Sequence, residues 1–206
     1  FDEISSFKFQ EKKFQWKQDL IGPVGKLPLD KLKFTLDDFE SYLGNNNEAN
    51  QIRELIKNSY RESTNLSEAT FKLVNQLFGK YGLLVLEPNK KDLKKLFINF
   101  FKKELSDQFS FHSIDKQINN LKDNYSKTYS PQVNPRNINL FYLLPEGRYR
   151  IEKNDNKFVV KDTGKFFSEN ELIDQLEKCP ERFSPNVILR PLYQEVLLPN
   201  LCYIGG

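Results

Sequence analysis

The sequence predicts an α/β protein into which a helix and an antiparallel β meander are inserted, and three patterns in its 206 residues support this. Helical stripes of apolar residues alternate with short continuous apolar runs, which are typical of strands covered on both faces. Between residues 139 and 160 the pattern changes to short strands separated by tight turns. From residue 168 onward the alternation of helices and apolar runs returns.

The first elements are a predicted hairpin and two helices. Phe7–Phe9 and Phe14–Trp16 alternate apolar and polar residues around a short polar turn, as in a hairpin with one buried face. From Asn47 the apolar residues follow helical spacing. Asn65, with Glu68 three residues later, then predicts the N-cap of a second helix.

A strand and two further helices are predicted next. Gly82 is expected to end the preceding helix, and Leu83–Leu86 is predicted to be a buried strand. A helix opening near Asn89 places lysines, including Lys94, mostly opposite its apolar stripe. Such a helix can lie on a membrane, but a solvated lysine face is the commoner arrangement. An apolar stripe ending at Tyr125 predicts the helix that follows.

Three strands and two turns make up the predicted meander. The strands are Asn139–Leu143, Arg148–Ile151 and Phe158–Val160, and the turns lie at Pro145–Gly147 and Asn154–Asn156. We expect this segment to lie outside the sheet of the core, because its pattern differs from the α/β units on either side.

The C-terminal part returns to helices and apolar runs. Ser168 and Glu171 predict a capping box at the start of a helix. Val187–Leu189 is predicted to be a buried strand, Pro191 fits the first turn of the helix after it, and Leu201–Ile204 is predicted to be a further strand.

These patterns divide the chain into three parts. Residues 1–98 are predicted to form part of the core with the N-terminal hairpin, residues 99–165 an insertion, and residues 166–206 the return to the core. The sequence contains no Met, even at position 1, and its last residues resemble a strand that leads into a turn. We therefore expect a fragment of a larger protein.

Composition limits the possible partners and compartment. The net charge of +3 arises from 31 basic and 28 acidic residues, which gives no reason to expect a nucleic-acid or membrane partner. No apolar run is long enough for a membrane span. Cys179 and Cys202 have neither metal-ligand spacing nor a disulfide framework, so we expect thiols and a cytoplasmic protein.

Candidate site residues lie where predicted strands end, because open α/β sheets bind ligands at the carboxyl ends of their strands. Arg190 is the strongest candidate, since its planar guanidinium suits carboxylate and phosphate. A structural ion pair with Glu195 or Glu87 is an equally weighted alternative. Gln194 and Glu195 could contact the ligand or support Arg190, and Gly205-Gly206 could let the backbone approach a phosphate.

Other catalytic motifs are missing from the sequence. There is neither a P-loop motif nor a dinucleotide-binding fingerprint. The single histidine, His112, has no partner motif for a nucleophilic triad, and no metal site is evident.

Several motifs resemble those of the bacillithiol cysteine-adding enzyme family. The most specific match is the run from Phe183 to Glu195, which reads FSPNVILRPLYQE, followed by Leu198–Leu201 and Tyr203–Gly206. Supporting matches follow the chain in order: Phe1–Ile4, Phe78–Pro88, Asn139–Tyr142 and Gly147-Arg148. The resemblance covers nearly the whole chain.

The resemblance implies a fold, an activity and partners. The family has a Rossmann-like core related to class I nucleotidyltransferases, with connecting-peptide insertions and a coiled coil through which a homodimer is expected. Its implied activity is a ligase reaction that forms an amide bond between cysteine and glucosaminyl-malate, the last step of bacillithiol biosynthesis. ATP or another nucleotide would activate the carboxyl group. The matching N-terminal motif adds Asp2 and Glu3 to the predicted site.

This chain also departs from the family pattern. The glycine-rich segment and the His/Asp-rich stretch that normally precede Phe1 are absent, as is the coiled coil. Cys202 occupies a position where a small residue such as alanine is common. We therefore expect this chain by itself to be inactive.

Two other functions remain possible from the sequence. A nucleotidyltransferase-like core could be a non-catalytic module that binds a nucleotide or small molecule. A synthetase-like protein that contacts RNA would need a basic face with exposed aromatic residues. The nearly balanced charge favours a small-molecule substrate over RNA.

Overall fold

The computed structural model describes residues 6–16, 22–155, 157–202 and 204, and the chain forms two compact units. The first unit comprises Phe1–Glu87 with Pro145–Gly147, and the second comprises Pro88–Leu144 with Arg148–Gly206. The sequence predicts domain boundaries after residues 98 and 165. These boundaries concern the domains of a longer protein and stay a prediction.

The described part of the first unit contains the predicted hairpin and three α-helices. Strands β1 (Ser6–Phe9) and β2 (Lys12–Gln15) pair antiparallel, with Phe7 opposite Phe14, which confirms the hairpin. The helices are α1 (Asp30–Tyr42), α2 (Asn47–Ile56) and α3 (Leu66–Phe78). The amide of Glu68 donates to Oδ1 of Asn65 at 3.0 Å, so the predicted N-cap of α3 is confirmed.

Helix α1, which the sequence interpretation did not include, organises the packing of this unit. Leu32 and Leu36 on one of its faces are buried together with Ile56 of α2. The ring of Phe39 meets the rings of Phe7 and Phe14 edge-on, with centroids 5.2 and 5.4 Å away. The hairpin is therefore fixed to α1 by aromatic contacts.

The predicted strand Leu83–Leu86 is wrong for this structure. These residues follow the left-handed Gly82 and belong to no strand, and the Leu84 side chain is 70% exposed. A continuous apolar run becomes a buried strand only where another strand pairs with it. The described residues provide no such partner for this segment.

The second unit is built around a five-stranded sheet with the order β6-β5-β4-β3-β7. Its strands are β3 (Leu140–Leu144), β4 (Gly147–Asn154), β5 (Lys157–Val160), β6 (Lys165–Ser168) and β7 (Phe183–Pro185). Strand β7 pairs antiparallel with β3, and β5 pairs antiparallel with both β4 and β6. The antiparallel meander is therefore confirmed, and two later strands extend it.

None of the helices in the described parts of either unit has the length and apolar character needed to cross a bilayer. In the described part of the second unit, five α-helices accompany the sheet. The five are α4 (Lys91–Lys95), α5 (Ile98–Asp107), α6 (Phe109–Asn124), α7 (Glu169–Lys178) and α8 (Arg190–Leu197). The single helix predicted from Asn89 is interrupted between α4 and α5. The capping box formed by Ser168 and Glu171 is confirmed.

The core of the second unit lies where α5, α7 and α8 pack on the sheet. Its fully buried side chains include Phe101, Leu105, Tyr142, Phe158, Leu172 and Leu176. Tyr142 and Phe158 belong to β3 and β5, so the meander and the elements after it share one core. This core holds the start of α8, and with it Arg190, in place.

The two C-terminal strand predictions are also wrong. Val187–Leu189 forms a turn, because the amides of Ile188 and Leu189 donate to Oδ1 of Asn186 at 2.9 and 3.3 Å. These bonds begin a helical turn instead of a strand. Leu201, Cys202 and Ile204 are not in a strand either, while Tyr203 lies outside the described residues. Pro191 occupies the first turn of α8 as predicted.

Candidate functional site

Arg190, the main site prediction, is the first residue of α8 and its side chain is exposed. Within the described residues its guanidinium forms neither a hydrogen bond nor an ion pair. Glu195 accepts instead from Asn200, at 2.8 Å from the backbone amide and 2.6 Å from Nδ2. The suggested structural pair between Arg190 and Glu195 is therefore not formed. Gln194 is exposed on the same helix.

The turn before Arg190 is fixed by hydrogen bonds to Asn139. The amide of Asn186 donates to the backbone oxygen of Asn139 at 3.0 Å. Its Nδ2 donates to Oδ1 of Asn139 at 2.8 Å. The amide of Arg190 donates to the backbone oxygen of Asn186 at 2.9 Å. The orientation of Arg190 thus depends on two asparagines outside α8.

Asn139 is in turn held by a buried carboxylate. Oε1 of Glu104 accepts from the amide of Asn139 at 2.8 Å and from Oγ of Ser110 at 2.7 Å. Its Oε2 accepts from the amide of Ser110 at 3.1 Å. Glu104 and Asn139 are both fully buried. A buried polar network whose members are all hydrogen-bonded is rigid, so it supplies a firm support for the turn.

A second arginine, Arg148, lies on β4 near the same turn. One of its guanidinium nitrogens donates to the backbone oxygen of Pro185 at 2.7 Å. Its guanidinium carbon lies 4.0 Å from the centroid of the Phe141 ring, which is a stacking contact. Phe141 and Pro185 belong to the paired strands β3 and β7. The sheet therefore presents Arg148 in a defined orientation.

Lys94 of α4 is a third cation, whose charge is coupled to the charges of Arg148 and Arg190. Its side chain is only 1% exposed, and its Nζ lies 4.9 Å from the centroid of the Tyr193 ring. Burial, and then the positive charges of Arg148 and Arg190, lower the pKa of Lys94 from 10.5 to about 7. These three residues, Lys94, Arg148 and Arg190, are the cation cluster.

Tyr193 provides an aromatic face that Lys94 contacts. Its hydroxyl donates to the backbone oxygen of Pro88 at 2.8 Å, and its ring contacts that of Phe97 with centroids 5.0 Å apart. Burial raises the pKa of the Tyr193 hydroxyl to about 12, so it stays protonated at neutral pH. Tyr193 thus positions α8 against the segment that carries Lys94.

The sequence interpretation missed the contribution of Lys94, which it placed on a solvated face. A signal was present, because Lys94 lies three residues before Phe97 and seven before Phe101, the spacing of one helical face. Arg148 occurred in the sequence interpretation only within a supporting motif. The coupling of Lys94 and Arg148 to Arg190 depends on how α4, β4 and α8 pack, so it could not be deduced from local patterns.

Four other predicted site residues, Asp2, Glu3, Gly205 and Gly206, lie outside the described residues. Glu87 belongs to the first unit, where it lines an open cleft of about 230 Å³ next to Gly25 and Ser67. This cleft is mainly apolar, so it offers little to hold a charged ligand.

Phosphate or carboxylate is the chemical group best suited to the cation cluster. Guanidinium groups can donate two parallel hydrogen bonds to either anion, and an ammonium group adds a compact positive charge. A nucleotide could be held through its phosphates in this way. Within the described residues no group of three or more His, Cys, Asp or Glu side chains could hold a metal ion.

Comparison with known families gives one match over the entire chain. Residues 1–206 match the family model described as bacillithiol biosynthesis BshC, N-terminal Rossmann-like domain. The α/β class and the resemblance derived from the sequence motifs agree with this match.

Curated proteins named as cysteine ligases of the BshC type are similar over the same region. The chain is 44% identical to the one from Flavobacterium johnsoniae over 206 residues and 46% identical to the one from Flavobacterium psychrophilum. Both comparisons cover 100% of this chain and 38% of the relative. The relative from Bacillus cytotoxicus is 31% identical over 180 residues, covering 86% of this chain and 33% of its own length.

Proposed function

This chain belongs to the family of bacillithiol biosynthesis BshC proteins, and we propose that it forms part of a ligase that adds cysteine to an amine in bacillithiol biosynthesis. The observation that carries the proposal is the family match over all 206 residues. Because the chain spans 38% of the length of the Flavobacterium relatives, the activity is proposed for the longer protein.

The proposed reaction joins the carboxyl carbon of L-cysteine to the amine nitrogen of glucosaminyl-malate. An amide bond forms as the carboxyl group loses one oxygen and the neutral amine nitrogen releases one proton. ATP or another nucleotide would accept that oxygen by being cleaved, which makes the condensation favourable.

The proposed role of Arg190 is to bind an anionic part of a substrate or nucleotide. Three features support this role: the guanidinium is exposed, it makes no ion pair within the described residues, and the Asn139–Asn186 hydrogen bonds fix the turn before it. Gln194, one helical turn further along α8, would lie beside the ligand. Because Glu195 accepts two hydrogen bonds from Asn200, we propose a structural role for Glu195.

The cellular setting is also part of the proposal. We propose a cytoplasmic enzyme that acts on small molecules and forms a homodimer through a domain outside this chain. Both described cysteines, Cys179 and Cys202, are free thiols, which fits a reducing compartment. Residues 99–165 are proposed to correspond to the connecting-peptide insertion of the longer protein.

Product formation tests this proposal. The intact purified protein would be incubated with cysteine, glucosaminyl-malate and ATP, and bacillithiol would be measured by mass spectrometry. We expect product only when cysteine, glucosaminyl-malate and a nucleotide are all present. Parallel reactions in which other nucleotides replace ATP would identify the nucleotide that is used. Binding of these ligands without turnover, under conditions where the protein is folded, would instead identify a non-catalytic binding module.

A further inference from the structure

Six large apolar side chains lie exposed within ten residues of the first unit. Each is between 41% and 74% exposed. They belong to the end of α3 and the segment that follows it: Leu77, Phe78, Tyr81, Leu83, Leu84 and Leu86. Single exposed apolar residues are ordinary on protein surfaces, but a concentration of this kind marks a surface that another segment or a partner covers.

The backbone of Leu83–Leu86 is also unpaired. Among the hydrogen bonds of the described residues, none involves an amide or carbonyl group of this run. A continuous aliphatic run is typical of a strand covered on both faces, whereas segments that leave their backbone groups in water are polar. The loop Gly44–Asn46, between α1 and α2, has the polar sequence expected of such a segment.

The run folds back along α3. Gly82 adopts a left-handed φ of 84°, which turns the chain away from the helix direction. Val85 and Leu86 then line the cleft of the first unit together with Leu66 and Thr70, which lie near the start of α3. The run therefore returns beside the helix that precedes it. This is how a helix and the strand after it are arranged in an α/β sheet.

A Rossmann-like sheet needs strands other than the described ones. Such sheets are built mainly from parallel strands, whereas the strand pairings described within each unit are antiparallel. The chain nevertheless matches a Rossmann-like family model over residues 1–206. Because it spans only 38% of the length of the relative from Flavobacterium johnsoniae, the longer protein has ample chain to supply parallel strands.

We propose that Leu83–Leu86 becomes a buried strand in the intact protein, paired with an apolar parallel strand from the part of the same polypeptide outside these 206 residues. A second copy of the chain fits less well as the occupant. Strand edges that stay open to other molecules usually carry charged residues or proline, and this run has neither. The inference depends on the fold of the family and not on cysteine addition.

Hydrogen–deuterium exchange of the intact wild-type protein, followed by mass spectrometry, tests this pairing. We expect the amides of Leu83–Leu86 to exchange at least about a hundredfold more slowly than unstructured peptide amides, because hydrogen bonds in a buried sheet protect them. The control is Gly44–Asn46, whose amides also form no hydrogen bond among the described residues but whose sequence is polar. If Leu83–Leu86 exchanges as fast as Gly44–Asn46, the proposal is overturned.

A charge at Leu84 identifies what covers the run. Leu84 is 70% exposed and Phe34 of α1 is 78% exposed, so Leu84→Glu and Phe34→Glu are matched substitutions. If a strand covers Leu84 in the intact protein, Leu84→Glu should lower the melting temperature by about 5 °C or more relative to Phe34→Glu, because it buries a carboxylate. An equal effect of the two substitutions would contradict the proposal.

Light scattering of the folded Leu84→Glu variant distinguishes the two possible occupants. We expect the same molecular mass as wild type, since the proposed partner strand belongs to the same polypeptide. Conversion of a dimer into a folded monomer would show that a second copy covers the run, and the proposal would be wrong. Because none of these measurements involves turnover, a protected Leu83–Leu86 in a protein that adds no cysteine would contradict the ligase proposal alone.

Discussion

Asn139 and Asn186 are joined by two hydrogen bonds, one between their backbones at 3.0 Å and one between their side chains at 2.8 Å. Through this pair, the buried carboxylate of Glu104 is connected to the turn that begins α8. The pair therefore links the core of the second unit to the orientation of Arg190.

Replacing Asn186 should loosen the start of α8. Asn186→Ala removes the side-chain hydrogen bond to Asn139. It also removes the oxygen that accepts from the amides of Ile188 and Leu189. Loss of a cap and its associated bonds should lower the free energy of unfolding by about 1–3 kcal/mol. Urea denaturation of the intact protein measures this change. Asn119→Ala, at an exposed position of α6, is the control and should differ from wild type by less than about 0.5 kcal/mol.

Glu104→Gln should be destabilising although it preserves the shape of the side chain. Both Glu104 oxygens accept hydrogen bonds from Asn139 and Ser110, so an amide NH2 must face at least one donor. Leaving buried donors unsatisfied costs about 1–3 kcal/mol each. Thermal unfolding would show the loss, with Asp107→Asn at the exposed end of α5 as the matched control. Equal stability of Glu104→Gln and wild type would refute the described network.

Lys94 should impose a pH dependence on stability. Its pKa is about 7 when folded and close to 10.5 when unfolded, so between these values the unfolded chain binds more protons. The Lys94 contribution to the free energy of unfolding therefore rises with pH from about 7 to 10.5, by about 1.4 kcal/mol per unit of pKa difference. Lys94→Met should raise stability near pH 7 and remove this rise. Denaturant titrations at several pH values would measure it, and an unchanged profile in Lys94→Met would contradict the assignment.

Tyr193→Phe tests the contact between α8 and the start of the second unit. The substitution keeps the ring but removes the hydroxyl that donates to Pro88 at 2.8 Å. We expect a loss of about 0.5–1.5 kcal/mol in the free energy of unfolding. In wild type, ultraviolet titration should detect one tyrosine that ionises near pH 12, and this component should be absent from Tyr193→Phe. If Tyr193→Phe still contains a tyrosine that ionises near pH 12, this ionisation belongs to another tyrosine.

Local signals in the sequence were sufficient for several elements of the fold. The cap at Asn65 and the capping box at Ser168 depend on residues three positions apart, and the hairpin depends on a short turn. The meander around Phe141 and Phe158 is similarly built from neighbouring strands. In each case the residues that satisfy the backbone lie nearby in the sequence.

Elements that need distant partners were predicted less well. The apolar runs at Leu83–Leu86 and Val187–Leu189 look like buried strands, but a strand also needs a neighbour to pair with, and Asn186 starts a helical turn instead. Arg190 could be proposed from the sequence because of its residue type and position. The proximity of Lys94 and Arg148 to it depends on how β4, α4 and α8 pack, which no local pattern encodes.

The central claim, that Arg190 serves the reaction, is tested most directly by the rate of cysteine addition in the intact Arg190→Ala variant. We predict that kcat/KM falls by about a hundredfold or more, while the melting temperature stays within about 1 °C of wild type, because the exposed guanidinium forms no ion pair within the described residues. Arg136→Ala, which alters another exposed arginine of the same unit, should leave both quantities unchanged. An Arg190→Ala protein that unfolds at lower temperature but, while folded, adds cysteine at the normal rate would contradict the claim.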